Sequence, residues 1–167
     1  MLEVSGGSPK NDKEDMRDLM RPPFLPPLWL LLAVLAMVTL HEVLPGPAVV
    51  PESVRVVGWG FIAGGIAMAL YIDLIFKRRG TTILPFRTSS ALVTGGPFRF
   101  SRNPIYCGMA AALFGLGLLL ASAVPFLVVP AFVWVIGRYF IRREEADLET
   151  AFGAEYRAYK ARVRRWL

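Results

Sequence analysis

Four long apolar stretches, separated by polar stretches of very unequal length, dominate the chain. The first runs from about Phe24 to Leu44 and includes LWLLLAVLAMVTL, with no charge until Glu42. The second, about Val54 to Phe76, reads VRVVGWGFIAGGIAMALYIDLIF. The third, about Pro104 to Ala121, reads PIYCGMAAALFGLGLLLA, and the fourth, about Val124 to Ile141, reads VPFLVVPAFVWVIGRYFI. A hydrocarbon layer about 30 Å thick takes roughly 20 apolar residues of helix, which the first two stretches supply in full. The third and fourth are shorter and meet across Ser122 and Ala123, which predicts a tight helical hairpin. In lipid, a backbone without water satisfies itself best as helix, so all four are read as helices. Pro125 sits at a tolerated position near the start of the fourth stretch, and Pro130 should kink it. Gly60, Gly64 and Gly65 form a small-residue pattern that would let helix backbones approach closely.

Charge then orients this frame. Lys10, Lys13, Arg17 and Arg21 precede the first stretch. Lys77, Arg78, Arg79, Arg87, Arg99 and Arg102 lie between the second and third. Arg138, Arg142, Arg143, Arg157, Lys160, Arg162, Arg164 and Arg165 lie at or beyond the end of the fourth. With four spans, eighteen of the nineteen basic residues fall on one side and only Arg55 on the other. The positive-inside rule places that side, with both termini and the 77–103 loop, in the cytoplasm of a membrane that would be the bacterial inner membrane. The net charge of +6 therefore belongs to membrane topology, with lipid rather than nucleic acid as the partner.

Composition adds exclusions. One cysteine, Cys107, rules out an intrachain disulfide, and one histidine besides leaves too few ligands for a Cys/His zinc site, so no metal is expected. Gly115 and Gly117 lie inside an apolar helix with no strand before them, so they are not a dinucleotide fingerprint. Residues 1–23 are polar, mixed in charge and read as a mobile cytoplasmic tail, with no cleavable leader evident. Residues 24–167 form a single domain, with helices expected at about 24–44, 54–76, 104–121, 124–150 and 154–165.

Chemistry concentrates in two places. The stretch GTTILPFRTSSALVTGGPFRFSRNPIYCG from Gly80 onward is too long for a mere connector. Gly95-Gly96-Pro97 should turn, and Asn103-Pro104 reads as a helix entry, with Asn as N-cap and Pro in the first position. The unpaired N–H groups of that entry could meet a polar ligand. Beyond the fourth apolar stretch, Glu144 and Glu145 follow Arg142 and Arg143. Taken alone, they could be a solvated ion-pair turn. Phe152, Tyr156, Tyr159, Val163 and Trp166 recur at steps of four and three, one apolar stripe of an amphipathic helix interrupted at Gly153. That helix could lie on anionic headgroups or close over a pocket. Asp73 is within reach of Lys77 four residues on, and an acid inside a membrane helix is also a functional candidate.

GPFRFSRNPIYCG followed, after an apolar hairpin, by REEADLETAFGAEYRAYKARVRRW resembles the isoprenylcysteine carboxyl methyltransferase family and its relatives, the phospholipid N-methyltransferases among them. The resemblance covers about residues 80–167, in matching order and spacing. It implies an all-α integral membrane protein with four transmembrane helices and a cytoplasmic C-terminal amphipathic helix. It further implies transfer of a methyl group from S-adenosyl-L-methionine to a lipophilic small-molecule or lipidated acceptor. Carried over by position, Ala91, Leu92 and Val93 would line the cofactor pocket and Phe98 would pack on the cofactor. Asn103, Pro104, Ile105 and Tyr106 would contact it, largely through backbone, with Gly108 allowing close approach. Glu144 would hold a polar or cationic part of the cofactor, with Glu145 in support.

Two departures bear on the acceptor. The family's usual His of R-H-P is Asn103, which a backbone contact tolerates. The Arg with which the carboxyl methyltransferases recognise an acceptor carboxylate aligns with Phe140. Arg138 and Arg142, each about half a turn away, are the residues that could take its catalytic role. Acceptor chemistry stays open among a prenylated cysteine carboxylate, a phospholipid amine and a small lipophilic thiol or acid. A non-catalytic four-helix membrane adaptor is the alternative to an enzyme.

Overall fold

The computed structural model describes residues 26–78 and 92–167. Ala91 and the expected tail at residues 1–23 lie outside that range. The described chain is all helix apart from turns and one isolated antiparallel bridge between Ala48 and Ser122. Three helices are long and apolar enough to cross a membrane: α1 (Pro26–Val43), α2 (Glu52–Arg78) and the long α4 (Ala123–Arg162). Between the last two lies α3 (Pro104–Leu120), as apolar but 17 residues long. The chain is thus an integral membrane protein of the helical class. Leu31, Leu35, Trp59, Ile66, Leu70 and Trp134 face outward, as expected of helices whose solvent is hydrocarbon.

The hairpin between α3 and α4 is as tight as its sequence predicts. Ala121 takes a left-handed conformation (φ 58°) as it closes α3, Ser122 is extended, and α4 starts at Ala123. The predicted effect of Pro130 appears one turn earlier. The helix is interrupted at Leu127, beside the Phe126 carbonyl that a proline at 130 leaves without its helical donor. A second irregularity was not foreseen: Ile136–Ile141 is a π-helical turn, one residue wider per turn than the α-helix around it. The helix then runs from Arg142 to Arg162, broken only at Gly153 (φ 51°, ψ −117°). It ends three residues short of the expected 165. Val163 is extended, and Trp166 reaches the apolar stripe by a turn of chain, resting against the core and Gly137.

α2 and α3 pack through glycine, but of the three glycines in the small-residue pattern only Gly65 takes part. Gly60 and Gly64 face open space, while Gly58 and Gly65 lie on the backbone of Gly115 and Gly108. A Cβ on Gly58 would stand 2.5 Å from the Gly115 carbonyl oxygen, and one on Gly115 the same distance from the Gly58 oxygen. Each seam is therefore a pair at a seven-residue spacing, two helical turns, which keeps both contacts on one face. The main core lies on the other side of α3. Ala33 and Met37 of α1, Tyr106 and Leu113 of α3, and Phe132, Ile136 and Phe140 of α4 meet there.

Candidate functional site

One end of the bundle gathers the end of α2, the 92–103 segment, the start of α3, the second half of α4 and the C-terminal tail. Gly96, at φ +60°, needs the freedom of glycine to enter the 3₁₀ turn Gly96–Arg99. That turn fixes Phe98. Its ring meets Phe76 edge-on, with centroids 5.9 Å apart, and its carbonyl accepts the Tyr159 hydroxyl at 2.7 Å. The following residues are strapped to the tail. The Arg102 backbone N–H donates to the Arg164 carbonyl at 2.9 Å, while Ser101 Oγ and Asn103 Nδ2 both donate to the Arg165 carbonyl. Asn103 therefore precedes the helix as predicted but does not cap it with its side chain. Its amide is spent on the tail, and its backbone oxygen accepts the Cys107 N–H.

The two adjacent glutamates have different environments. Glu144 accepts the Tyr106 hydroxyl at 2.7 Å, bridging α4 and α3 just past the apolar part of α4. Burial pushes its carboxyl up to about 7; the Tyr106 hydrogen bond opposes that shift, and Asp147 and Glu145 add to it. Glu145 is 4% exposed and faces two guanidiniums: Arg102 Nη2 at 3.0 Å and Arg165, whose Nε is 3.0 Å away. A buried carboxylate is tolerated only when paired in this way. The cluster of two arginines and one glutamate keeps a surplus positive charge.

These residues enclose a cavity of about 70 Å³, lined by Phe76, Leu92, Val93, Phe98, Arg102, Asn103, Glu144, Glu145, Leu148, Tyr156 and Tyr159. Two buried donors of residues on its wall have no partner among the described residues, Tyr156 Oη and Arg102 Nε. A ligand that is cationic at one point and anionic at another would satisfy both the raised carboxyl and the free donors. S-adenosylmethionine, with an ammonium, a sulfonium and a carboxylate, meets that description. Ligand pockets usually measure several hundred Å³, so the cavity has room for one polar end of such a molecule.

Of the expected cofactor residues, the structure brings Leu92, Val93, Phe98, Asn103, Glu144 and Glu145 around the cavity, with Tyr106 one hydrogen bond behind. Pro104, Ile105 and Gly108 lie elsewhere. Pro104 lines a different groove, Ile105 packs on the main core, and Gly108 serves the seam with Gly65. Arg138 and Arg142 are exposed and line neither cavity; Arg138 lies over the Tyr139 ring, 5.8 Å from its centroid. Phe140 is 3% exposed and meets Trp29 edge-on in the main core. Arg102, Phe76, Leu148 and Arg165 were not singled out from sequence. Arg102 is visible in the R-N-P motif, but sequence alone presents it as one more loop charge. Asp73 pairs with Lys77 at 2.5 Å in an exposed setting. Among the described residues, no three His, Cys, Asp or Glu side chains converge as a metal site.

The second groove, about 560 Å³, runs along the outer side of the α2–α3 contact. Val57, Gly60, Gly64, Met68, Phe100 and Cys107 are among its almost wholly apolar lining. Gly60 and Gly64 help to hollow it by lacking side chains. Its polar end at Ser101 abuts the same 101–103 segment that walls the smaller cavity.

The apolar helical bundle thus carries a small polar cavity at one end, and the family comparison gives the chain its class. Residues 54–155 match the phospholipid methyltransferase family, and the chain belongs to it. Among similar proteins, an uncharacterized protein of Haemophilus influenzae is 43% identical over 63 residues, 38% of this chain and the whole of that protein. Methanethiol S-methyltransferase 1 of Bradyrhizobium diazoefficiens is 30% identical over 121 residues, 71% of this chain but only 41% of that protein. The chain thus spans less than half of that methyltransferase. No solved structure matches significantly. The expected membership of the wider membrane methyltransferase group is met.

Proposed function

We propose that the protein transfers a methyl group from S-adenosylmethionine to a lipophilic acceptor at the cytoplasmic face of the membrane. The observation that carries this reading is the Tyr106–Glu144 pair. It joins the R-N-P-x-Y segment to the E-E motif beside a cavity with unsatisfied donors, in a chain of a methyltransferase family. In this reading all four apolar helices span, α3 included, both termini face the cytoplasm, and the segment after Gly153 closes the cytoplasmic end.

When bound, the cofactor supplies an electrophilic methyl on a sulfonium, already a good leaving group. The chain's own tasks are positional. Glu144, aimed by Tyr106, holds positive charge; Phe98, Leu92 and Val93 give an apolar wall; the strapped tail and the 3₁₀ turn keep water from the reacting atoms. The acceptor reaches the site from the bilayer, and the apolar groove ending at Ser101 suits its hydrocarbon part.

The isoprenylcysteine-type reading, carboxyl O-methylation, needs a cation for the acceptor. Phe140 is buried among apolar side chains, and Arg138 and Arg142 point outward. A role for either arginine would require the acceptor head to approach from outside α4. Those positions favour an acceptor without a carboxylate. A lipophilic thiol, the chemistry in the name of the Bradyrhizobium relative, needs no cation and as thiolate no general base. Phospholipid N-methylation, the chemistry of the family's name, is the second reading.

Titration calorimetry of S-adenosylmethionine into detergent-purified protein, beside Glu144→Ala, tests the cofactor. Saturable binding lost in the variant supports the enzyme. No binding at millimolar ligand to folded protein leaves the membrane adaptor as the better account. Product analysis with a long-chain thiol, a farnesylcysteine and phosphatidylethanolamine then separates the acceptors.

A further inference from the structure

Tyr156 is 1% exposed, yet its hydroxyl has no partner among the described residues. Such a group costs free energy that folding alone does not recover, and a phenylalanine would fill the same space without the cost. Its neighbour on the cavity wall has the same defect. The Arg102 side chain is 9% exposed; its terminal nitrogens serve Glu145 and the Lys160 carbonyl, while Nε is free. Tyr159, three residues on and similarly buried, has spent its hydroxyl on Phe98, so lack of a partner is particular to Tyr156 rather than general to this helix.

Arg102 Nε–H can only donate and the Tyr156 hydroxyl can donate as well as accept, so one acceptor group satisfies both. The nearby charge has the matching sign, because Arg102 and Arg165 share the single carboxylate of Glu145. On the same cavity, Glu144 offers the opposite polarity. One wall thus suits an anion and another a cation, within about 70 Å³. That is the complement of a zwitterionic α-amino acid end.

We infer that Tyr156, with Arg102 beside it, is a specificity-determining residue that binds the α-carboxylate of the cofactor's amino acid end. The Tyr156 hydroxyl and Arg102 Nε–H donate to the two carboxylate oxygens, and the ammonium turns toward Glu144. This rests on the S-adenosylmethionine reading above and adds which part of the cofactor the cavity selects. It also explains why a buried tyrosine stands where phenylalanine would pack as well.

The test compares two probes on the full chain in detergent, S-adenosylmethionine and its decarboxylated form, which lacks only the carboxylate. Wild-type protein should bind the intact cofactor more tightly. Tyr156→Phe should weaken intact cofactor roughly tenfold to a hundredfold and leave the decarboxylated probe unchanged, the range of a hydrogen bond to a charged group. The ligand-free variant should melt at or above the wild-type temperature, because an unpaired hydroxyl has been removed. Equal weakening of both probes, unchanged binding of intact cofactor, or a lower melting temperature overturns the inference while the cofactor reading survives. Failure of wild-type protein to bind either probe overturns both.

Discussion

The two ends of the bundle solve the same problem in opposite ways. At the end carrying the α3–α4 hairpin, polar groups find partners within the chain. Arg55 donates from Nε and Nη2 to the Leu119 carbonyl at 3.1 and 2.8 Å, covering an open helix end. His41 Nδ1 lies 2.8 Å from Ser122 Oγ, and Ser122 also bridges to Ala48. At the basic end the chain invests in a dense network around Glu145 and still leaves Tyr156 Oη and Arg102 Nε unsatisfied. The third unpaired buried donor among the described residues, Trp29 Nε1, belongs to the first turn of α1. A hairpin end needs only to close. An end that leaves costly polar groups open is completed by something other than itself.

The sharpest way to break this contrast is at Glu144. Glu144→Gln should weaken S-adenosylmethionine binding by about 2–5 kcal/mol, the usual loss on truncating one member of a desolvated charge pair, as read by calorimetry. The pH dependence has a definite sign. With its carboxyl at about 7 rather than the ordinary 4.5, Glu144 is largely neutral below neutrality. Affinity for a cationic ligand should therefore rise with pH through about 7, and Glu144→Gln should flatten the profile. Stability of the ligand-free protein runs the other way. The folded state holds the proton more tightly, so the contribution is complete below about 4.5 and falls as pH rises toward 7. Affinity that falls across that range would remove Glu144 from the cation site.

The glycine seam gives the next largest effect, on stability. Gly115→Val pushes a side chain into the Gly58 backbone and should cost about 1–3 kcal/mol or more, seen as a lower melting temperature. Gly60→Ala, with nothing within 4 Å, should leave that temperature unchanged and serves as its control. At the basic end, Arg165→Ala leaves Glu145 with Arg102 alone. Because Arg165 is partly exposed, we expect roughly 1–2 kcal/mol of lost stability, together with faster proteolysis of the freed tail. Smallest of all, Arg55→Ala should cost less than about 1 kcal/mol and leave cofactor affinity untouched, since the group is exposed and remote. A large binding effect there would show that the two ends are coupled.

Hydropathy made the helices legible to within a few residues, because a segment that must satisfy its backbone in lipid has little choice of conformation. Half the cavity was legible as well, through motif residues such as Phe98, Asn103 and Glu144. What hydropathy could not reveal was azimuth. Gly60 and Gly64 carry the familiar spacing, yet Gly58 and Gly65 make the contact, a choice settled by the rotation of α2 against α3. Glu144 and Glu145 are neighbours in sequence and part company in space, one to Tyr106 and the other to two arginines. The tail was read as more helix because Val163 and Trp166 continue the stripe. Its backbone leaves the helix so that the Arg164 and Arg165 carbonyls meet donors on residues 101–103, a long-range exchange that periodicity does not encode.

The π-helical turn at Ile136–Ile141 is where that azimuth is set for the carboxylates. A wide turn holds one residue more than the α-helix needs, so everything after it is phased about 100° from where an uninterrupted helix would carry it. The aim of Glu144 and Glu145 is thus written in chain length rather than in any side chain at the cavity. Deleting a single residue between 136 and 141 would let the wide turn close to ordinary α-helix and keep both carboxylates on the cavity, whereas inserting one further residue there would turn both away by about 100°. S-adenosylmethionine binding kept in the deletion and lost in the insertion, with helix content unchanged in both, is the result to look for, and lost binding in the deletion would refute it. In such a protein, counting residues is as much a part of the active-site specification as naming them.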